Sequence, residues 1–98
     1  MFRSAVAMVL VLIPVSMVRA ESGLASYYRG VGSHGEMTCA HRTRAFGSMV
    51  TVTYAGHSIR CRVNDRGPFV RGRIIDVSTP AARALGIMDV GIALVSVE

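Results

Sequence analysis

The sequence contains no lysine, so its positive charge rests entirely on eleven arginines. Only six acidic residues oppose them, leaving a net charge of +5. Two of the arginines, Arg3 and Arg19, flank an apolar leader. Residues 21–98 then hold nine arginines against six acids, a net +3. That excess is too small to argue for a nucleic-acid partner. Cysteine is scarce as well. Cys39 and Cys61 stand alone, and no Cys-x-x-Cys, His-x-x-His or His-Glu-x-x-His spacing exists, so neither a metal nor a cofactor is expected. Charge blocks, low-complexity runs and internal repeats are absent, which excludes disordered chains, solenoids and propellers. Ninety-eight residues leave no room for a large two-layer enzyme.

Residues 4–18 carry no charge and are almost wholly apolar. Met1-Phe2-Arg3 precedes them, and Val18-Arg19-Ala20 follows with short side chains at the −3 and −1 positions of a cleavage point. The pattern reads as a signal peptide over 1–20, cut after Ala20. Its apolar run is shorter than the ~20 residues of a membrane anchor and is broken by Pro14. Residues 21–98 are therefore expected as a monomeric domain without a stable membrane anchor, in the periplasm or secreted. No cysteine near the cleavage point offers a site for lipid attachment. In an oxidising compartment the pair Cys39 and Cys61 reads as a disulfide. Closing a 22-position separation contributes on the order of 3 kcal/mol. For a core near the lower size limit that is a large share.

Past the leader, Leu24–Arg29 is strand-like, and Gly30, Gly32 and Gly35 open a loop. Met49–Tyr54 and His57–Val63 alternate apolar and polar residues around Ala55-Gly56, which predicts a hairpin. A two-residue turn sets Val52 against Ile59 and Val50 against Cys61 on one face, with Thr51, Thr53, Ser58 and Arg60 on the other. Asn64–Phe69 reads as a loop, because Gly67-Pro68 does not fit a regular strand. Arg73–Ser78 reads as a short buried strand. Thr79-Pro80 supplies an N-cap and a first-turn proline for a helix over Ala81–Leu85, closed by Gly86. Gly91–Val97 forms the last strand. Five or so short strands with one helix suggest a small closed barrel.

Six motifs occur in order: Gly23-Leu-Ala-Ser-Tyr-Tyr28, Ala40-His-Arg-Thr43, Phe46-Gly47, Arg62-Val-Asn-Asp-Arg-Gly-Pro-Phe69, Gly72-Arg-Ile-Ile-Asp-Val-Ser78 and Ala81-Ala-Arg-Ala-Leu-Gly86. Together they resemble the rare lipoprotein A family over nearly all of residues 21–98. The resemblance implies a mainly β fold, a small six-stranded double-psi β-barrel with one short helix. It also implies an endolytic peptidoglycan lytic transglycosylase of the bacterial cell envelope, acting on glycan strands. Expansin-like wall-loosening proteins share the barrel, so a non-catalytic peptidoglycan-binding module is the alternative. Compared with the family pattern, the stretch from Gly35-Glu36 to His41 is short, and position 45 is alanine where many relatives have proline.

Breaking a β-1,4 glycosidic bond needs an acid to protonate the departing oxygen. In a lytic transglycosylase the C6 hydroxyl of muramic acid is the nucleophile, so a single carboxyl group can donate and then recover the proton. Asp65 is the expected acid, at a strand end entering the Gly67-Pro68 loop. It needs a desolvated setting to hold a proton against the nearby arginines. His41 is the expected assistant, brought close by the Cys39–Cys61 link. Glu36, Tyr28, Arg66 and Phe69 are expected to contact substrate: Glu36 and Arg66 through charge, Tyr28 and Phe69 by stacking on sugar faces. Tyr27, Arg71 and Arg73 are weaker candidates of the same kinds. Asp76, between apolar neighbours, reads as structural and in need of a partner. His34 and His57 read as solvated.

Overall fold

The computed structural model describes residues 5, 7, 8, 20–29 and 35–98. The leader over 1–20, apart from those few positions, and Gly30, Gly32 and His34 lie outside the described residues. Six strands and one helix follow: β1 (Glu21–Tyr28), β2 (Thr38–His41), β3 (Met49–Tyr54), β4 (His57–Asp65), β5 (Arg73–Ser78), α1 (Thr79–Leu85) and β6 (Ala93–Val97). The strands close in the order β1-β5-β2-β4-β3-β6. Two pairs, β1–β5 and β2–β4, run parallel and the others antiparallel. Closure leaves no free sheet edge, which lets so short a chain remain mainly β. This is the six-stranded barrel with one helix that the resemblance implied.

The hairpin follows from its alternation. Val50 pairs with Cys61 and Val52 with Ile59, and all four are buried. On the outer face the hydroxyls of Thr53 and Ser58 meet at 2.7 Å. Ala55 and Gly56 both have positive φ, 47° and 82°. That is the backbone a two-residue turn needs to match the twist of its strands.

Strand ends depart from the expectation where partners, rather than local pattern, decide them. β1 begins three residues early because Glu21 to Leu24 pair with β6. β4 continues through Asn64 and Asp65 because Asp65 pairs with Ala40. β2 itself has no alternation long enough to read, yet all four of its residues are buried. β6 starts at Ala93 rather than Gly91, whose φ is 77°. The helix N-cap is Ser78, not Thr79, and Pro80 sits in the first turn. Thr79 is the first helical residue, and its hydroxyl donates to the Tyr28 carbonyl at 2.9 Å, tying α1 to β1. Gly86, in the left-handed region, and Ile87 both donate to the Ala82 carbonyl at 3.0 Å and close the helix.

The barrel interior is filled by Ala25, Val50, Val52, Val63, Ile75, Val77, Val95 and Val97, with Leu85 and Ile87 covering one end. Cys39 of β2 and Cys61 of β4 form a disulfide inside this core, their Cα atoms 5.8 Å apart. These side chains fill the barrel interior.

Candidate active site

β2 organises the site. Its inward residues are Cys39, paired with Val63 and Val77, and His41, paired with Ile75. Ala40 between them faces outward, since successive strand residues alternate faces. On one side Ala40 pairs with Asp65 of β4, across a bulge. On the other it pairs with Asp76 of β5, which in turn pairs with Ser26 of β1. The outer surface therefore carries a row Ser26–Asp76–Ala40–Asp65. Two carboxylates flank one methyl group, their backbones about 10 Å apart, or two strand spacings.

The two acids differ in setting. Asp65 is exposed, and its Oδ1 accepts the backbone N–H of Arg66 at 2.8 Å. Asp76 is half-buried. Burial raises its carboxyl pKa above the ordinary value; the Ser26 hydroxyl, donating at 3.2 Å, and the charge of Arg73 pull it down, and the facing Asp65 adds an upward push. The need for a partner read from the sequence is met by Ser26. The alternation of Ile75 and Val77 inward already implied that Asp76 faces outward. Only the β5–β2–β4 register, invisible in the sequence, brings it into a row with Asp65.

His41 lies on the other face of β2 and is only 2 % exposed. Its Nε2 is 3.0 Å from Glu21 Oε1, and its Nδ1 accepts the backbone N–H groups of Thr43 and Arg44, both at 3.1 Å. Both ring nitrogens are thus engaged away from Asp65. Its carbonyl and that of Arg44 accept from Arg66 Nη1 at 3.2 and 2.6 Å, and the Arg66 guanidinium stacks over the Phe46 ring, 4.0 Å from the centroid. Arg42 reaches the carbonyls of Pro68, Val70 and Arg73 at 2.7, 3.2 and 2.8 Å. The turn after β2 therefore grips the 65–73 loop at several points. Glu21 escaped the sequence reading, and Arg42 and Phe46 entered it only as motif positions without a role, because nothing in their local pattern marks these long-range partners.

The remaining candidates scatter around this row. Glu36 forms a two-pronged ion pair with Arg62, at 2.5 and 3.0 Å. The Tyr28 hydroxyl bonds Thr38 Oγ1 at 2.6 Å, whereas Tyr27 turns inward and donates to the Met88 carbonyl at 3.1 Å. Phe69 stands 80 % exposed just beyond Asp65. Arg71 and His57 are exposed, and Arg73 is partly so. Among the described residues no three His, Cys, Asp or Glu side chains gather as metal ligands.

The family described as lytic transglycolase matches residues 20–97, the whole barrel with its carboxylate row. The chain belongs to that family. Among lytic transglycolase relatives, the probable endolytic peptidoglycan transglycosylase RlpA of Nostoc sp. is 47 % identical, covering 78 % of this chain and 24 % of its own length. The endolytic peptidoglycan transglycosylase RlpA of Vibrio cholerae is 45 % identical, covering 80 % of this chain and 35 % of its own. The chain thus spans about a quarter to a third of these curated relatives. In structure, this lytic transglycolase domain is similar to apo Clavibacter michiganensis expansin, with a TM-score of 0.69, 25 % identity and coverage of 82 % of this chain and 50 % of that one. A variant of that expansin in complex with cellohexaose aligns with the same TM-score at 24 % identity, over the same shares of both chains.

Proposed function

We propose that this domain is an endolytic lytic transglycosylase that cleaves the MurNAc–GlcNAc β-1,4 bond of peptidoglycan and leaves 1,6-anhydroMurNAc ends. The observation that carries the reading is the outward row in which Asp65 and Asp76 flank Ala40. Burial pushes the Asp76 carboxyl up from its ordinary value, and the facing Asp65 adds to that push, so Asp76 tunes the site across Ala40 in this reading. Asp65, exposed at the strand end, is the member that meets the glycosidic oxygen, donates the proton, and takes one back as the C6 hydroxyl attacks. Ala40 between the two carboxylates contributes only a methyl group. His41 assists from behind, by holding the turn that anchors Arg66 next to Asp65. Phe69 and Tyr28 offer stacking surfaces, and Arg66 and Glu36 polar contacts, along the glycan.

The relatives' names support peptidoglycan as the substrate and the bacterial cell envelope as the site of action. Residues 1–20 serve in this reading as the export signal, which delivers the domain to the periplasm or the medium as a monomer. A second reading is a non-catalytic wall-loosening or wall-binding module, favoured by the likeness to expansin.

Mass spectrometry of purified peptidoglycan after incubation separates the two. Wild type is expected to release anhydro ends. Asp65→Asn, nearly isosteric but unable to donate and recover a proton, is expected to lose about 10²–10⁴-fold in rate. His41→Ala is expected to lose rate but keep some activity, because the main acid, Asp65, remains. Reducing ends from wild type indicate a hydrolase instead. Binding to glycan without either product favours the wall-binding module.

A further inference from the structure

Glu21 opens β1, outside the carboxylate row, and the proposed chemistry has no use for it. Its Oε1 nevertheless lies 3.0 Å from His41 Nε2 and 3.6 Å from Arg44 Nη2. Across the imidazole, two backbone N–H groups converge on Nδ1 at 3.1 Å each. A nitrogen that accepts two N–H donors carries no proton of its own, so the ring proton sits on Nε2 and is donated to Glu21. The ring is buried from solvent. It acts as a strut between β1 and the turn following β2. That turn contributes the carbonyls of His41 and Arg44 to Arg66 Nη1 and lays Phe46 against the guanidinium. The amide of Arg66 holds Asp65 Oδ1. An unbroken set of contacts thus runs from Glu21 through His41, the 42–46 turn and Arg66 to Asp65.

We infer that Glu21 is a positioning residue for Asp65, acting by fixing the Nε2–H tautomer of His41. Without an acceptor at position 21, the buried Nε2–H loses its partner, and an unpaired buried donor is costly. The alternative Nδ1–H tautomer points a proton at two N–H groups, so the ring must turn or the 42–46 turn must open. Glu21→Gln keeps a carbonyl oxygen as acceptor and therefore keeps the tautomer. Glu21→Ala does not. Glu21→Asp keeps the charge but withdraws the oxygens by ~1.5 Å, one carbon–carbon bond.

The effect on rate rests on the transglycosylase reading, whereas the tautomer does not. The experiment is therefore nitrogen-15 NMR of the histidines in the full chain, with amide hydrogen exchange, alongside anhydro-product kinetics. Wild type and Glu21→Gln are expected to show His41 as Nε2–H, with slow exchange at Thr43, Arg44 and Arg66. Glu21→Ala is expected to mix tautomers and speed those amides about tenfold or more. Its kcat should fall on the order of 10- to 100-fold with KM little changed, the pattern of a misplaced reacting group. Glu21→Asp should lie between and serves if Glu21→Ala does not fold. An Nδ1–H tautomer in wild type overturns the inference. So does a folded Glu21→Ala with unchanged tautomer and Arg66 protection. If wild type forms no anhydro ends, the transglycosylase reading falls by itself, and the tautomer and the Arg66 amide still decide the strut.

Discussion

Breaking the Cys39–Cys61 bond should cost this domain a large fraction of its stability. The bond joins β2 to β4, and both cysteines are fully buried. A 22-residue separation gives a loop-closure contribution of about 3 kcal/mol from restriction of the unfolded chain. At roughly 0.05–0.15 kcal/mol per residue, the described barrel is stable by about 4–12 kcal/mol. A quarter or more of that margin therefore hangs on one bond. The clean perturbation is the reduced wild type, refolded from denaturant with reductant present, because it keeps both sulfurs in the core. Cys39→Ala with Cys61→Ala removes the sulfurs too and should lose more, through lost burial. Thermal melts followed by circular dichroism should show a Tm lower by about 12–24 °C in the reduced protein, taking about 4–8 °C per kcal/mol for a domain this small. Urea titration should give a matching loss of free energy. A reduced protein within about 1 kcal/mol of the oxidised one would refute the loop-closure reasoning, whose magnitude is ~3 kcal/mol. Because β2 is only four residues long, the same reduction should loosen the Ala40–Asp65 pairing before the hairpin, visible as early loss of amide protection at β2.

Asp76→Asn should stabilise the protein while damaging the proposed chemistry. Burial raises the Asp76 carboxyl pKa on folding, so its protonated form favours the native state. That contribution is complete below the unfolded pKa and is lost as pH rises through the folded one. The Asn variant should melt above wild type near pH 7 and converge with it toward about pH 3; a gain that does not vary with pH would contradict the assignment to Asp76. In the hairpin turn, Ala55 has φ 47°, a region where a side chain other than Asn, Asp or Gly is strained. Ala55→Asn should raise stability by about 0.5–1 kcal/mol in a urea titration, and a loss would mean the turn is not of the two-residue, positive-φ kind.

Legibility followed sequence separation. The hairpin was readable to the residue because its register depends on alternation and a two-residue turn, both local. The helix was readable through Pro80 and Gly86, misplaced by one residue only at its N-cap. β2 was not, since four residues cannot show a period, and its burial comes from neighbours on either side that are distant in the chain. The site inherits that division. Asp65 stands out only through the family resemblance of its Asn64-Asp-Arg-Gly-Pro-Phe69 stretch, and the cysteine pairing follows from number and the expected compartment. Asp76 needs the β5–β2–β4 register before it becomes a neighbour of Asp65, and Glu21 needs β1 closed against the turn after β2 before it meets His41. Parallel pairings between remote strands leave no trace in a local pattern.

The same topology explains why the proposed chemistry lies outside the barrel. Six strands enclose only enough space for their own side chains, and here valines, isoleucines and the disulfide fill it. A polysaccharide can be met only on an outer surface, and an outer surface of strands is polar wherever it is not covered. Acidic groups there would ordinarily be solvated and weakly placed. β2 changes this by being short and anchored on its inner face: Cys39 is bonded to Cys61, and the imidazole of His41 is clasped by Glu21 and two amides. Anchoring from within leaves the outward position to a residue that needs no anchoring of its own, and that residue is Ala40. Its small side chain stands between Asp65 and Asp76, and the strands at either side fix their separation. Stability work and the proposed acid–base work are thus divided between the two faces of one four-residue strand.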